Sequence, residues 1–315
     1  VAHFAELAIA RTTISHCQLA VCVVDIVHGP HHDISRGATT FWEAQIKGGR
    51  VAAIGAAPPC ETWALARWTN GGWHDRTQPV PLRTAHCLWG RIDLTPKEAR
   101  QIRTANVLLL YTILYATLAA VQGISMWIEH PDLTIAHSTK GTEEHPHIGA
   151  ASIWLLEQIK RLSVLPCTDD HHLFHNQFAG EARKPTHIMA IHMKEMHDCV
   201  KELEKWVTPT LVLKGKDEHG KWKTAHAKEY PHRMSCMLAR AMLRAAIKHV
   251  TKFEDELTED EKAQILSFSP QLTEDTMEYG NDYVDAVAPV RHITTTWELP
   301  FEMCAKAQAR YAQRP

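Results

Sequence analysis

The residues best placed for covalent chemistry lie in Ala56-Ala57-Pro58-Pro59-Cys60-Glu61-Thr62-Trp63. This stretch directly follows an apolar run over 51–56 that reads as a buried strand. Two prolines stiffen the loop and hold a thiol at the strand's carboxyl end, where open α/β sheets place their ligands. A cysteine there is a nucleophile when its surroundings lower its pKa. The same pattern also suits a structural cysteine in a rigid loop. A second candidate group is Cys167, His171, His172 and His175, in a chain with 22 histidines. Zinc sites use such residues, but the paired spacing with a second cluster is missing, so the segment reads as a polar loop and no metal site is assigned. Trp63, Trp68, Trp73 and Trp89 follow Cys60, either to stack on a base or to bury their loop, and burial is the preferred reading.

The elements that must position these residues alternate in type. Apolar, β-branched runs at 19–27, 51–56 and 124–128 read as parallel strands. Residues 39–47 form a short amphipathic helix ended by Gly48-Gly49. Thr95-Pro96-Lys97-Glu98 is a helix start, with Thr95 as N-cap, Pro96 at the first position and Glu98 closing a capping box, and this helix runs to about Ala120. Further helices are expected at 150–162 and 230–250, where Met234, Met237, Leu238, Met242 and Leu243 keep helical spacing as a packed face. Residues 215–220 look like a polar turn. The pattern predicts an α/β fold with a mostly parallel sheet flanked by helices over residues 1–250. An acidic, partly extended tail follows over 251–315, opening with Glu254, Asp255, Glu256, Glu259, Asp260 and Glu261.

The 315 residues can bury a sizeable core, and 45% hydrophobic with 22% charged content is ordinary for a globular chain. A net charge of -2 provides no overall basic field for nucleic acid, although a local basic groove is compatible with it. Eight cysteines without a CxxC pair point to thiols in a reducing compartment, nucleus or organelle included. The apolar run at 107–121 falls short of a membrane span and reads as a buried helix. The chain begins at Val1, consistent with a removed leader or a partial sequence.

The order of short motifs resembles the catalytic domain of cytosine-5 methyltransferases, in particular divergent, retroelement-associated relatives of Pro-Pro-Cys-Glu type. Val23-Val24-Asp25-Ile26 is similar to the family's acidic strand end that binds the cofactor ribose, and His32-Asp33-Ile34 to its element near the adenine. Met126-Trp127-Ile128-Glu129-His130-Pro131 is similar to the strand ending in Glu-Asn-Val, with His130 in the asparagine position. Phe178-Ala179-Gly180-Glu181-Ala182-Arg183-Lys184-Pro185-Thr186 resembles the arginine-bearing motif, and Ala225-His226-Ala227-Lys228-Glu229-Tyr230-Pro231 the closing segment. The resemblance implies a Rossmann-like fold and S-adenosylmethionine held by Phe4, Asp25, Asp33, Ile34 and Pro58. It implies that Cys60 attacks carbon 6 of a base flipped from DNA or RNA, that Glu129 gives or shares a proton at ring nitrogen 3, and that Arg183 stabilises charge on the exocyclic oxygen. His130, beside Glu129, either titrates near neutrality and tunes it or caps the strand end.

The chain departs from the family at two places. Glu6 stands where the cofactor turn calls for glycine, adding bulk and negative charge. Only about forty residues separate Thr186 from Ala225, with charges that roughly cancel, where the family inserts a larger recognition domain. These departures support an alternative: a catalytically inactive subunit that uses the fold as a scaffold and binds other protein subunits of a larger assembly.

Overall fold

In the computed structural model the described residues are 38–64, 67–68, 80–133, 149–213, 217–220, 223–224 and 229–251. The expected first strand at 19–27 lies outside them, as does the acidic tail beyond Thr251. Among the described residues four strands, β1 (Ala53–Ala56), β2 (Ser125–Pro131), β3 (Thr168–Phe174) and β4 (Pro185–Ile191), form one sheet in the order β1-β2-β4-β3. The described α-helices that cover it are α1 (Ala38–Lys47), α2 (Pro96–Gln122), α3 (Glu157–Ser163), α4 (Met196–Leu203) and α5 (His232–Thr251).

The sheet is mixed among the described residues, not mostly parallel as the sequence pattern suggests. β1 and β2 run parallel, joined by a crossover that contains α2, whereas β4 runs antiparallel to both neighbours. The cause is local. Only ten residues separate β3 from β4, a connection long enough for a hairpin and too short for a parallel crossover. That connection carries a single 3-10 turn at His175–Gln177 and Ala179 at φ 61°. β4 then inserts beside β2, so β3 becomes the sheet edge.

α2 starts as its residues dictate. Thr95 Oγ1 accepts from the Glu98 backbone N–H, and Glu98 Oε2 accepts from the Thr95 backbone N–H at 2.8 Å. Its end is set by Gly123 at φ 69°, a left-handed cap that glycine adopts without a Cβ penalty. The helix is long and apolar enough to cross a membrane, yet 83% of its most apolar window is buried inside the protein. An apolar surface on all sides is what a core helix needs.

Two cores lie on the two faces of the sheet. On one face Met126, Ile128, Met189 and Ile191 pack with Leu109, Ile113 and Ala116 of α2 and Ile159 of α3. On the other Trp127, Ile188 and Ala190 pack with Cys199 of α4 and with Met234, Met237, Leu238 and Ala241 of α5. The methionines of α5 are thus its packed face, as their spacing predicts. The helix expected at 150–162 is divided: a 3-10 turn at Ile153–Leu155, capped by Ser152, precedes α3.

Candidate active site

The parallel register Ala56↔Ile128 brings the carboxyl ends of β1 and β2 to one edge of the sheet. Cys60 leaves β1 there and Glu129 stands in the last turn of pairing on β2. The loop between Pro58 and Trp63 is fixed by its own packing. Pro58, Thr62 and Trp63 are buried, and the Trp63 N–H donates to the Cys60 carbonyl at 2.9 Å. Beneath it Arg83 lays its guanidinium over the Trp63 ring, 3.9 Å from the centroid. Arg83 Nε donates to Thr62 Oγ1 at 3.0 Å and Nη1 to the Leu88 carbonyl at 2.7 Å. Arg83 is only 1% exposed, and burial pulls its pKa well below the usual arginine value. The sequence carries no sign of this residue's role, because its partners are a ring, a hydroxyl and a carbonyl rather than an acid.

Glu129 is 5% exposed. The Tyr230 hydroxyl donates to its Oε2 at 2.8 Å, and Lys184 Nζ lies 3.8 Å from Oε1. Burial pushes the Glu129 carboxyl up, against the opposing effects of Lys184 and of the Tyr230 bond. Burial likewise pushes up the Cys60 thiol; Lys184 works against this, while Glu129 and Glu61 add to it. Tyr230 is driven well above the ordinary phenol value by burial and by the neighbouring carboxylate. Cys60, Glu129, Lys184 and Tyr230 therefore form one electrostatically coupled group. Burial thus favours the neutral form of both the thiol and the carboxyl relative to their exposed counterparts.

Arg183 is not part of it. Its side chain is exposed and sits over the Phe174 ring at 4.8 Å. The cation at Glu129 is the next residue, Lys184. Strand alternation explains the exchange: Glu129 pairs with Ile188, and counting back by twos along β4 from Ile188 reaches Thr186 and then Lys184. That count was open to sequence reasoning once β4 was identified as a strand. Tyr230 carries its own signal, since it precedes Pro231 at the entrance of α5.

His130 points away from Glu129, as neighbours on a strand must. It is 1% exposed, with the rings of Trp63 and Trp154 edge-on at 6.0 and 6.5 Å. Burial, with Lys184 and Arg83 adding, lowers its pKa to about 3. The expectation that it titrates near neutrality and tunes Glu129 is therefore replaced by a neutral imidazole in the opposite core. Of the loop tryptophans, Trp63 is buried and Trp89 packs against the core, whereas Trp73 lies outside the described residues. So do Phe4, Asp25, Asp33 and Ile34 of the cofactor set.

The histidine-rich segment is not a loop. Residues 168–174 form β3, whose alternation sends His171 and His172 to opposite faces. His172 meets two residues the sequence did not suggest, Asp132 and His187, and the ligand atoms of these three lie within 4.8 Å of one another. Cys167 stays apart as a thiol pushed up to about 11 by burial.

Compared with models of known protein families, with curated proteins and with solved structures, the chain matches none.

Proposed function

We propose that the chain is a Rossmann-like domain of the cytosine-5 methyltransferase type, and that the Cys60–Glu129 edge is a pocket for a cytosine ring. The observation that carries the reading is the ion pair of Glu129 with Lys184 at the end of β2, beside the parallel β1 edge from which the Cys60 loop leaves. A nucleophile, a proton donor and a cation within one desolvated group are what addition to an electron-poor ring requires. Cys60 gives up its thiol proton to solvent as the ring enters, and the resulting thiolate sulfur adds to carbon 6 of an extruded cytosine of DNA or RNA. Glu129, whose neutral form burial favours, gives or shares its proton at ring nitrogen 3, so that charge arriving from the sulfur is neutralised. Tyr230 holds Oε2, so Oε1, which has Lys184 Nζ 3.8 Å away and no hydrogen bond of its own among the described residues, is the atom to meet the ring. Lys184 takes the electrostatic part that resemblance assigned to Arg183.

S-adenosylmethionine, when bound, supplies the methyl group. Of the residues that resemblance gives it, Pro58 is buried in the loop and the others lie outside the described residues. No step above runs through it.

Two observations favour the second reading, an inactive scaffold subunit. Burial pushes the Cys60 thiol away from the thiolate, and the segment after α4 presents Trp206 and Val212 at 56% and 68% exposure, surfaces suited to a protein partner. A single experiment separates the two. The protein is incubated with S-adenosylmethionine and a fluorinated-cytosine oligonucleotide, as DNA and as RNA, and adducts are resolved by mass. An adduct on Cys60, abolished in Cys60→Ala, establishes the enzyme reading. Folded protein that gives no adduct and no heat with S-adenosylmethionine leaves the scaffold reading.

A further inference from the structure

We infer that Asp132, His172 and His187 form a site for a divalent transition metal, zinc in the first instance, on the face of the sheet opposite Glu129. Three adjacent strands supply it. Asp132 immediately follows β2, His187 lies in β4 opposite His130, and His172 lies in β3 directly opposite His187. Two imidazoles and one carboxylate are a borderline-soft donor set that suits zinc and other first-row divalent ions.

The surroundings are built as a metal site is built. His187 Nε2 meets Asp170 Oδ1 at 2.7 Å, while its Nδ1 is buried and has no hydrogen-bond partner among the described residues. A carboxylate on one ring nitrogen fixes the tautomer, so the proton resides on Nε2 and the lone pair on Nδ1. Trp154 stacks on the His187 ring, centroids 3.7 Å apart, and is itself held by its Nε1–H to the Pro131 carbonyl. That stacking stops the imidazole from turning. Asp132 is fully buried, and His172 Nδ1 meets its Oδ2 at 2.5 Å. In the metal-free protein a proton occupies this contact. A metal with bonds of about 2.0 Å sets its ligand atoms roughly 3.3 Å apart in a tetrahedron, so uptake parts His172 from Asp132 by a rotation that also turns it out of its tilted ring contact with His187, centroids 4.3 Å apart, and draws in ligand atoms now spread over as much as 4.8 Å. His172 is 43% exposed, which makes that rotation possible and leaves a coordination position facing solvent for water or an anion.

The test uses the full chain, stripped with chelator and titrated with Zn2+ by calorimetry and with Co2+ by visible absorption. Wild type is expected to bind one equivalent more than His187→Ala, His172→Ala or Asp132→Asn. Asp170→Asn should weaken that equivalent by about 10- to 100-fold. His172→Ala is read first, because a half-exposed side chain at the sheet edge can be removed without loss of the core. Titrations of wild type and folded His172→Ala that superimpose overturn the site, and so does a wild type that takes up no metal. Failure here does not bear on the Cys60–Glu129 reading, which uses the other face and no metal.

Discussion

Tyr230 donates its hydroxyl to Glu129 Oε2 at 2.8 Å, a bond between residues 101 positions apart that ties the entrance of α5 to the end of β2. Tyr230→Phe removes the donor and leaves a buried carboxyl oxygen unpaired. The carboxyl pKa, already raised, should move further up, because the lost bond favoured the charged form. Stability should fall by about 1–3 kcal/mol. Carbon-13 titration of the Glu129 carboxyl together with urea unfolding checks both. A carboxyl pKa that stays put or drops would show that the bond does not reach Glu129 in solution.

Lys184 and Arg183 are neighbours with opposite surroundings, and the contrast is measurable. Lys184→Met removes the cation that counteracts the rise of the Cys60 thiol, so alkylation of Cys60 should shift to higher pH. Arg183→Met, whose guanidinium lies over Phe174, should leave that profile where it was. Site-resolved mass spectrometry is needed, since Cys87 is exposed and reacts independently. Equal shifts in both variants would remove Lys184 from its special position.

Much of this site was legible in the sequence, and the missing part has a definite cause. The capped start of α2, the strand before Pro58 and the strand carrying Glu129 are local patterns that no tertiary context overrode. The methionine stripe of α5 is another. β3 was hidden because Asp169, Asp170, His171 and His172 give an edge strand a loop's composition. Without β3 there was no hairpin. Without the hairpin there was no register to assign Lys184 to Glu129 or to bring His172 to His187. Arg83 and Asp132 were invisible for another reason: a buried charge is recognised by what surrounds it, and its surroundings come from distant segments.

Gly180 is the contact point between the β3–β4 turn and α5. A Cβ there would lie 2.6 Å from Pro231 Cγ and 2.7 Å from the His175 carbonyl oxygen, and the backbone atom cannot yield. Gly180→Ala should cost about 1–3 kcal/mol by overpacking and displace Tyr230 from Glu129. Thermal unfolding and the Glu129 titration should therefore change together. An unperturbed carboxyl in a destabilised variant would separate the turn from the site.

His175 should make the protein acid-sensitive. It is 2% exposed, and burial, with Lys184 adding, lowers its pKa to about 3. In the unfolded chain the same imidazole takes a proton near pH 6.5. Below that pH the unfolded state therefore binds the extra proton, and stability falls until about pH 3, by about 1.4 kcal/mol per pH unit at most. His175→Gln should flatten the urea midpoint between pH 6 and 4 relative to wild type, by roughly this slope. Parallel pH dependences would mean that His175 is protonated in the fold.

Glu129→Gln tests the opposite sign at the centre of the site. The folded carboxyl has a raised pKa, so its contribution to stability is complete below the unfolded value near 4.5 and is lost as pH rises through the folded value. Glutamine has no proton to lose and can still accept the Tyr230 hydroxyl. Its stability relative to wild type should therefore improve as pH increases above about 4.5, levelling off once wild-type Glu129 is ionised. Adduct formation on Cys60 should fall in the same variant, because the amide cannot give ring nitrogen 3 a proton. A group retained at a cost in stability and required for chemistry is what an active site contains. If Glu129→Gln is no more stable at neutral pH than wild type, the ion pair with Lys184 outweighs burial and the carboxyl is a structural anion.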